Sequence, residues 1–364
     1  MFSEKYYPPE VKGQDLDNYL SRGWYRMGQS IFTTHFLCFG SQFYSALWIR
    51  LPLQDYKLSK SLRKLHNKNQ KHFRVQYQPS IINDEKEALY QKYRKNFPAP
   101  LSPSLKESLL DLEDHNIFDT YEAAVYDKDN KLVACSFFDI GKESTASILG
   151  IYDSDYANFS LGLYTMVLEI LFSIKNGFKY YYPGYVVPGY TRFDYKLRIG
   201  DVFYYHLKSD NWIPFDEKAR TNTPLLEMES QLEAVRERIA HFGIKGILKY
   251  YPMFEANLVS FSLTTYFDFP VLLQIKLNHL DDQEQTDFFI VVYNTRSGFF
   301  QLIHCLPFDS PFFYFKAEFV QSFNENKDKF LLRLITVADV LLETKNTNRL
   351  VIGIQELAHR KNKL

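Results

Sequence analysis

Hydrophobic positions along this chain follow two periods, and the places where one gives way to the other outline its elements. Asp84 to Tyr93 and Leu105 to Glu113 read as helices, separated by Pro98, Pro100 and Pro103, which break the chain between them. Strand-like runs follow at Tyr121 to Tyr126, Lys131 to Asp139 and Ser144 to Ile151, the first two joined by the turn Asp127-Lys128-Asp129-Asn130. The helical period returns from Ser160 to Lys175, where Leu161, Tyr164, Leu168, Leu171 and Phe172 share a face and Gly177 is placed to end the helix. Phe178 to Tyr185 is the next strand, and Asp201 to Leu207 with Asn211 to Phe215 reads as a hairpin. With an earlier apolar strand at Phe43 to Leu51, this order predicts an α+β fold, a mixed sheet flanked by helices.

Beyond a polar boundary at Asp216 to Pro224, Leu225, Met228, Leu232, Val235 and Ile239 form one face of an amphipathic helix running to Phe242. Strands are expected at Leu258 to Thr265, Val271 to Leu277, Asp287 to Tyr293 and Phe299 to Cys305, with a hairpin turn at Asn294 to Gly298. An apolar segment, Phe330 to Leu342, precedes a closing stretch rich in Lys and Arg. Nothing in 216–364 signals chemistry, which leaves that region a structural or partner-binding role. The chain's 364 residues suit about two domains.

Formal net charge is zero, so a polyanion must be met by a local patch. One exists: Lys57, Lys60, Arg63, Lys64, Lys68, Lys71 and Arg74 stand in one segment without an acid among them. Three dispersed cysteines, Cys38, Cys135 and Cys305, give no CxxC pair, so neither a disulfide framework nor a zinc site is expected. A cytoplasmic protein is expected, since the start of the chain has no signal-like run and no apolar stretch is long enough for a membrane span. No Ser-His-Asp spacing, HExxH or P-loop appears.

The densest chemistry lies between Asp153 and Arg198. A helix beginning at Ser160-Leu161-Gly162 offers unpaired N–H groups and a positive dipole end to an oxyanion or phosphate, with Ser160 as the expected N-cap and Gly162 allowing close approach. Tyr180 and Tyr182 point to one face of a strand and Tyr181 to the other; one face fills a core, and the second is available to stack a base. Arg192, Lys196 and Arg198 interleave with Tyr190 and Tyr195, a pattern suited to phosphate or carboxylate and equally to a solvated loop. Asp139, Asp153, Asp155 and Asp194 are the nearby carboxylates.

Taken together, Ser160-Leu161-Gly162, Tyr164, Glu169, Tyr180-Tyr181-Tyr182, Gly184-Tyr185, Arg192-Phe193 and Tyr195-Lys196 resemble the arginyl-tRNA-protein transferase family of aminoacyl-tRNA-protein transferases. Tyr152-Asp153, Asp155, Asp139, Trp212 and Pro214 fit the same pattern, as do Arg22-Gly23-Trp24, Arg26, Gly28, Arg50 and Ser59-Lys60-Ser61 nearer the start. The family's cysteine pairs are missing, so its metal or iron-sulfur site is not expected, and no cofactor is required. The resemblance spans residues 15–215.

It implies a GNAT-like acyltransferase domain over 81–215 with an N-terminal subdomain over 1–80; the additional C-terminal α/β region expected over 216–364 lies outside it and its role is left open. The implied reaction moves an amino acid from charged tRNA to the α-amine of proteins with acidic N-terminal residues, marking them for degradation. The nearby aspartates favour an arginyl donor slightly over leucyl. The residues implied for catalysis are Asp153, Tyr182 and Lys196. Those implied for substrate binding are Arg22, Trp24, Arg26, Arg50, Ser160, Leu161, Gly162, Tyr164, Tyr181, Gly184, Tyr185, Arg192 and Tyr195. For tRNA they are Lys57, Ser59, Lys60, Ser61, Arg63, Lys64, Lys68 and Lys71. A coenzyme-A-dependent GNAT acyltransferase is the alternative, although NFSLGL only partly replaces the Gly-rich turn such enzymes carry. An inactive tRNA- or degron-binding relative is another.

Overall fold

A computed structural model describes residues 1–259, 266–277, 288–309, 315–323 and 329–361. The first strands, β1 (Ser3–Tyr6), β2 (Tyr25–Met27) and β3 (Ser30–Thr34), form a small sheet in the order β1-β3-β2, with α1 (Gln14–Leu20) between β1 and β2. The expected strand from Phe43 to Leu51 is broken at Ala46. Its first part, β5 (Gln42–Ser45), pairs with β4 (Phe36–Phe39), whereas β6 (Leu47–Pro52) joins the main sheet.

Next come α2 (Lys60–Asn69), capped by Ser59 Oγ accepting from Leu62 N, then β7 (Arg74–Pro79) and α3 (Asp84–Asn96), capped by Asn83. The short α4 (Leu105–Leu110) leads into three antiparallel strands, β8 (Thr120–Tyr126), β9 (Leu132–Ile140) and β10 (Ser144–Tyr152). Almost every residue of β9 is buried, as a strand covered on both faces requires. A 3-10 helix (Ser154–Phe159) connects β10 to α5 (Leu161–Lys175), which crosses over to β11 (Tyr180–Val186). A second 3-10 helix (Thr191–Ile199) precedes the hairpin β12 (Phe203–His206) and β13 (Asn211–Pro214).

The main sheet has eight strands in the order β13-β12-β6-β11-β10-β9-β8-β7, antiparallel except for the β10–β11 pair. Strand parity sets its two faces. Leu47, Ile49, Leu51 and Tyr181 pack against Val167 and Ile170 of α5, while Trp48 and Tyr182 face the N-terminal elements.

After α6 (Glu217–Thr221), α7 (Pro224–Ala240) begins with Thr223 as cap and Pro224 in its first turn. It packs on a five-stranded antiparallel sheet, ordered β14-β15-β16-β17-β18. Those strands are β14 (Lys245–Tyr250), β15 (Val271–Lys276), β16 (Phe288–Asn294), β17 (Phe299–Asp309) and β18 (Leu334–Thr344). The short α8 (Ala256–Val259) and α9 (Ala317–Gln321) lie between strands, and α10 (Thr347–Lys361) closes the described chain. The strand expected at Leu258 to Thr265 begins inside α8 instead, and 260–265 lie outside the described residues. One hydrophobic cluster includes both Phe2, Phe36, Trp48 and Tyr182 and the buried face of α7 with the five-stranded sheet. The fold is a mixed α+β architecture, and none of its described helices is long and apolar enough to cross a membrane.

Candidate functional site

The site follows from an interruption in the main sheet. β10 and β11 pair in parallel only where Ser144–Ala146 face Tyr180–Tyr182. Beyond that, β10 shifts register against β9 between Ser147 and Leu149, and β11 shifts against β6 between Tyr181 and Gly184. Pro183 has no N–H to give a ladder, and Gly184 adopts φ +95°. A cavity of about 770 Å³ opens where the strands part.

Its walls come from both faces of the sheet. Ser160, Leu161, Gly162, Leu163 and Met166 of the α5 region line one side; Tyr25, Phe32 and Trp48 line another; Tyr93 and Phe97 come from the end of α3. Tyr185, Arg192, Phe193, Tyr195 and Lys196 complete it. The lining is mostly apolar and aromatic, with few polar groups, which suits a side chain or ring held by shape.

At the start of α5 the structure departs from expectation. Ser160 has φ 49° and makes no side-chain cap bond, because it also terminates the preceding 3-10 helix and takes a left-handed conformation to redirect the chain. Its carbonyl accepts from Leu163 N and Tyr164 N. Among the described residues no group accepts from the N–H of Leu161 or Gly162, so both remain available at the cavity wall. Gly162 is needed for packing, since a Cβ there would stand 3.1 Å from the Tyr152 ring.

Lys196 is the most unusual side chain in the cavity. Its Nζ donates to Tyr185 O at 3.1 Å and lies 5.3 Å from the ring centres of both Tyr185 and Phe193. No carboxylate pairs with it among the described residues, and burial lowers its pKa to about 7. Gly184 makes room for it: a Cβ there would come within 2.9 Å of Nζ. Glu169 also lines the cavity; burial raises its carboxyl to about 7, against the opposing hydrogen bond from Tyr181 OH at 2.7 Å.

Of the residues singled out from sequence, Ser160, Leu161, Gly162, Gly184, Tyr185, Arg192, Tyr195 and Lys196 meet at this cavity. Arg26 also borders it, but its guanidinium is committed elsewhere, to Asp139 at 2.8 Å, Thr120 Oγ1 at 2.7 Å and the carbonyls of Gly28 and Leu109. Asp153 does not line it. Its carboxylate is 1% exposed and bound by Lys92 at 2.5 Å and Lys131 at 2.9 Å; burial alone would raise its pKa, yet these bonds hold it at about 2. Asp155 shares Lys92, and Asp194 pairs with Arg220 at 3.5 Å, so the aspartates that favoured an arginyl donor face their own cations.

The tyrosine strand is core on both faces because the sheet is covered on both. Tyr181 is wholly buried on Glu169, Tyr182 packs edge-on to Trp212 at 5.5 Å, and Arg50 is held between the Tyr180 and Trp212 rings. Tyr164 is fully buried beside His66, Arg22 bonds to Asn18 O, and Trp24 packs on Tyr19. Sequence reasoning missed Leu163 and Met166, and it counted neither Tyr93, which matches a family Tyr pair with Tyr90, nor Glu169 among the site residues. A lone acid inside the apolar run of α5 was the available signal for Glu169.

The basic segment is an exposed surface beside the site, made by one face of α2 and the chain on either side of it. Lys57, Lys60, Arg63, Lys64, Lys68, Lys71 and Arg74 are all exposed, and no ion pair among the described residues engages them. Lys68 Nζ donates to Asn158 O and Asn69 Nδ2 to Phe159 O, both at 2.9 Å, which ties the end of α2 to the loop entering Ser160. Ser59 and Ser61 share a hydrogen bond at its start.

Residues 65–205 match the family model described as arginine-tRNA-protein transferase, C terminus. An aspartate/glutamate leucyltransferase of Leptospira interrogans is 27% identical over 194 residues, covering 52% of this chain and 74% of the relative. The enzyme of the same name from Helicobacter hepaticus is 30% identical over 185 residues, covering 49% and 74% respectively. Among solved structures, the similarity to L-PGS from Bacillus licheniformis covers 50% of this chain and 52% of that one at 12% identity, with a TM-score of 0.33. The chain belongs to the aminoacyl-tRNA-protein transferase family, a family of acyltransferases.

Proposed function

We propose that this protein transfers leucine from leucyl-tRNA to the N-terminal α-amine of proteins beginning with Asp or Glu, marking them for degradation. The observation that carries the reading is the cavity at the β10–β11 split, which brings free N–H groups of α5 and the low-pKa amine of Lys196 to one apolar space. Leucine replaces the arginyl donor favoured by sequence. The relatives are named leucyltransferases, and Leu163, Met166 and Ile148 offer the donor side chain an apolar wall with no aspartate in it.

The reaction makes modest demands. The acceptor amine attacks the ester carbonyl of the aminoacyl group, the C–N bond forms, the C–O bond to the ribose breaks, and the ribose oxygen leaves with a proton. An α-amine with pKa of about 8 is partly neutral at pH 7, so positioning supplies much of the rate. Lys196 in its neutral form takes the proton lost by the attacking nitrogen and can return it to the leaving oxygen. The N–H groups of Leu161 and Gly162 are suited to the tetrahedral oxyanion. Outside the cavity, α2 lays its exposed cations on tRNA phosphates while the 3′ end enters past Ser160.

A parallel strand pair joined by a crossover helix, and then splayed, supports a GNAT-type domain over 81–215, with 1–80 completing its sheet and 216–364 added to it. The test offers peptides headed by Asp, Glu or Ala together with labelled leucyl-tRNA, arginyl-tRNA or acetyl-CoA. Transfer from leucyl-tRNA to the acidic peptides is expected. Labelling from acetyl-CoA alone would mean a coenzyme-A enzyme, and none at all a binding protein.

A further inference from the structure

We propose that Arg192 reads the acidic first side chain of the acceptor, binding its carboxylate inside the cavity. This rests on the transfer reading above and names the residue that enforces its acceptor rule. Arg192 lies on the 3-10 segment Thr191–Ile199 that caps the cavity. Its guanidinium carbon sits 4.5 Å from the centre of the Phe97 ring, so an aromatic face fixes the plane of the fork. Nη2 is buried and has no hydrogen-bond partner among the described residues.

An arginine keeps its proton, so a buried, unmatched N–H is a standing cost that an acceptor oxygen from a ligand would remove. The carboxylates nearby are occupied: Glu169, which lines the same cavity, accepts from Tyr181 OH at 2.7 Å. Asp194 on the same segment pairs with Arg220, and Asp153 and Asp155 are held by Lys92. A carboxylate brought in by the substrate is therefore the natural partner, and the planar fork matches its two oxygens. The tRNA phosphates have a separate and exposed set of cations on α2. Division of labour follows: Lys196 handles the proton and Arg192 supplies permanent charge.

The experiment measures kcat/KM with leucyl-tRNA for peptides that differ only in beginning with Glu or Gln, using wild type, Arg192→Gln and Arg192→Lys. Wild type should prefer Glu by about 100-fold, the scale of a buried charge-assisted bond. Arg192→Gln should bring that ratio to about one, and Arg192→Lys, which keeps the charge without the fork, should fall between. Should the ratio survive in Arg192→Gln, the inference is wrong. A uniform loss for both peptides, matched by weaker leucyl-tRNA retention on filters, would also overturn it by giving Arg192 to a phosphate. If wild type transfers nothing, the transfer reading fails separately, and calorimetric titration of the two peptides still decides. A Glu preference lost in Arg192→Gln supports the assignment; equal affinities in wild type defeat it.

Discussion

Lys196 and Gly184 form a matched pair, and each makes a prediction. Because burial lowers the Lys196 pKa from 10.5 to about 7, transfer should climb with pH through about 7 and level off above it. Lys196→Met should lose transfer and abolish that limb. Its effect on stability has a definite sign: the wild-type fold holds a costly charge below pH 7, so the variant gains most there, and the gain shrinks as pH rises towards 10.5. Chemical denaturation at pH 6 and pH 9 checks this. Gly184→Ala meets both φ +95° and the Lys196 amine, and should cost about 1–3 kcal/mol by denaturation as well as impairing transfer. For Glu169, whose carboxyl is raised to about 7, wild-type stability should decline between pH 4.5 and 7, and Glu169→Gln should decline less steeply over that window, because the buried Glu255, also raised to about 7, still contributes. Lys196 was legible from sequence as a cation among aromatics, but its lack of an acid partner among the described residues was not, since that depends on where Asp194 and Arg220 fold.

At the scale of elements, order along the chain was readable and the partners across it were not. The helical period over α5 and the strand after it stand nearly where the spacing puts them. The cavity's far wall comes from Tyr93 and Phe97, and no local pattern brings α3 against Tyr152 on β10 or Arg192 on the 3-10 segment, several elements later. Asp153 shows the same limit: as a loop acid near the groove it suggested chemistry, whereas its two lysines make it a brace for the segment leading into α5. Asp153→Asn should lower stability by about 1–2 kcal/mol, a modest figure because both lysines face solvent. The difference should be full above the usual carboxylate pKa of 3.8 and fade as pH falls towards 2. For α2, replacing Lys60, Arg63 and Lys64 by Ala should leave the fold intact and weaken tRNA binding, reducing the salt slope by about 0.7–0.9 for each lost phosphate contact.

Over the whole molecule, composition suggested separable parts, yet the core is shared. Phe2 packs on Phe269 at 5.1 Å, Phe36 meets Phe254 at 6.5 Å, and Leu225 N donates to Ser45 Oγ across the expected boundary. The polar run at 216–224 is a true break in hydrophobicity, but pattern alone cannot report that the elements on either side bury one another. A chain ending at 215 should therefore expose the Phe2, Phe36 and Trp48 cluster, bind a hydrophobic dye and lose its cooperative melt. A sharp transition near that of the full chain would contradict this.

The segment carrying both Arg192 and Lys196 hangs between Gly189 at φ +83° and Gly200 at φ +145°, outside the strands of the sheet. Glycine joints at each end let such a piece change in sequence without bending the strands that flank it. If Arg192 chooses the acceptor and the exposed cations of α2 hold the tRNA, as proposed above, the two tasks sit on different parts of the chain and one can change without the other. Grafting residues 190–199 from a relative is then the shortest route to a transferase with a new target and the same tRNA.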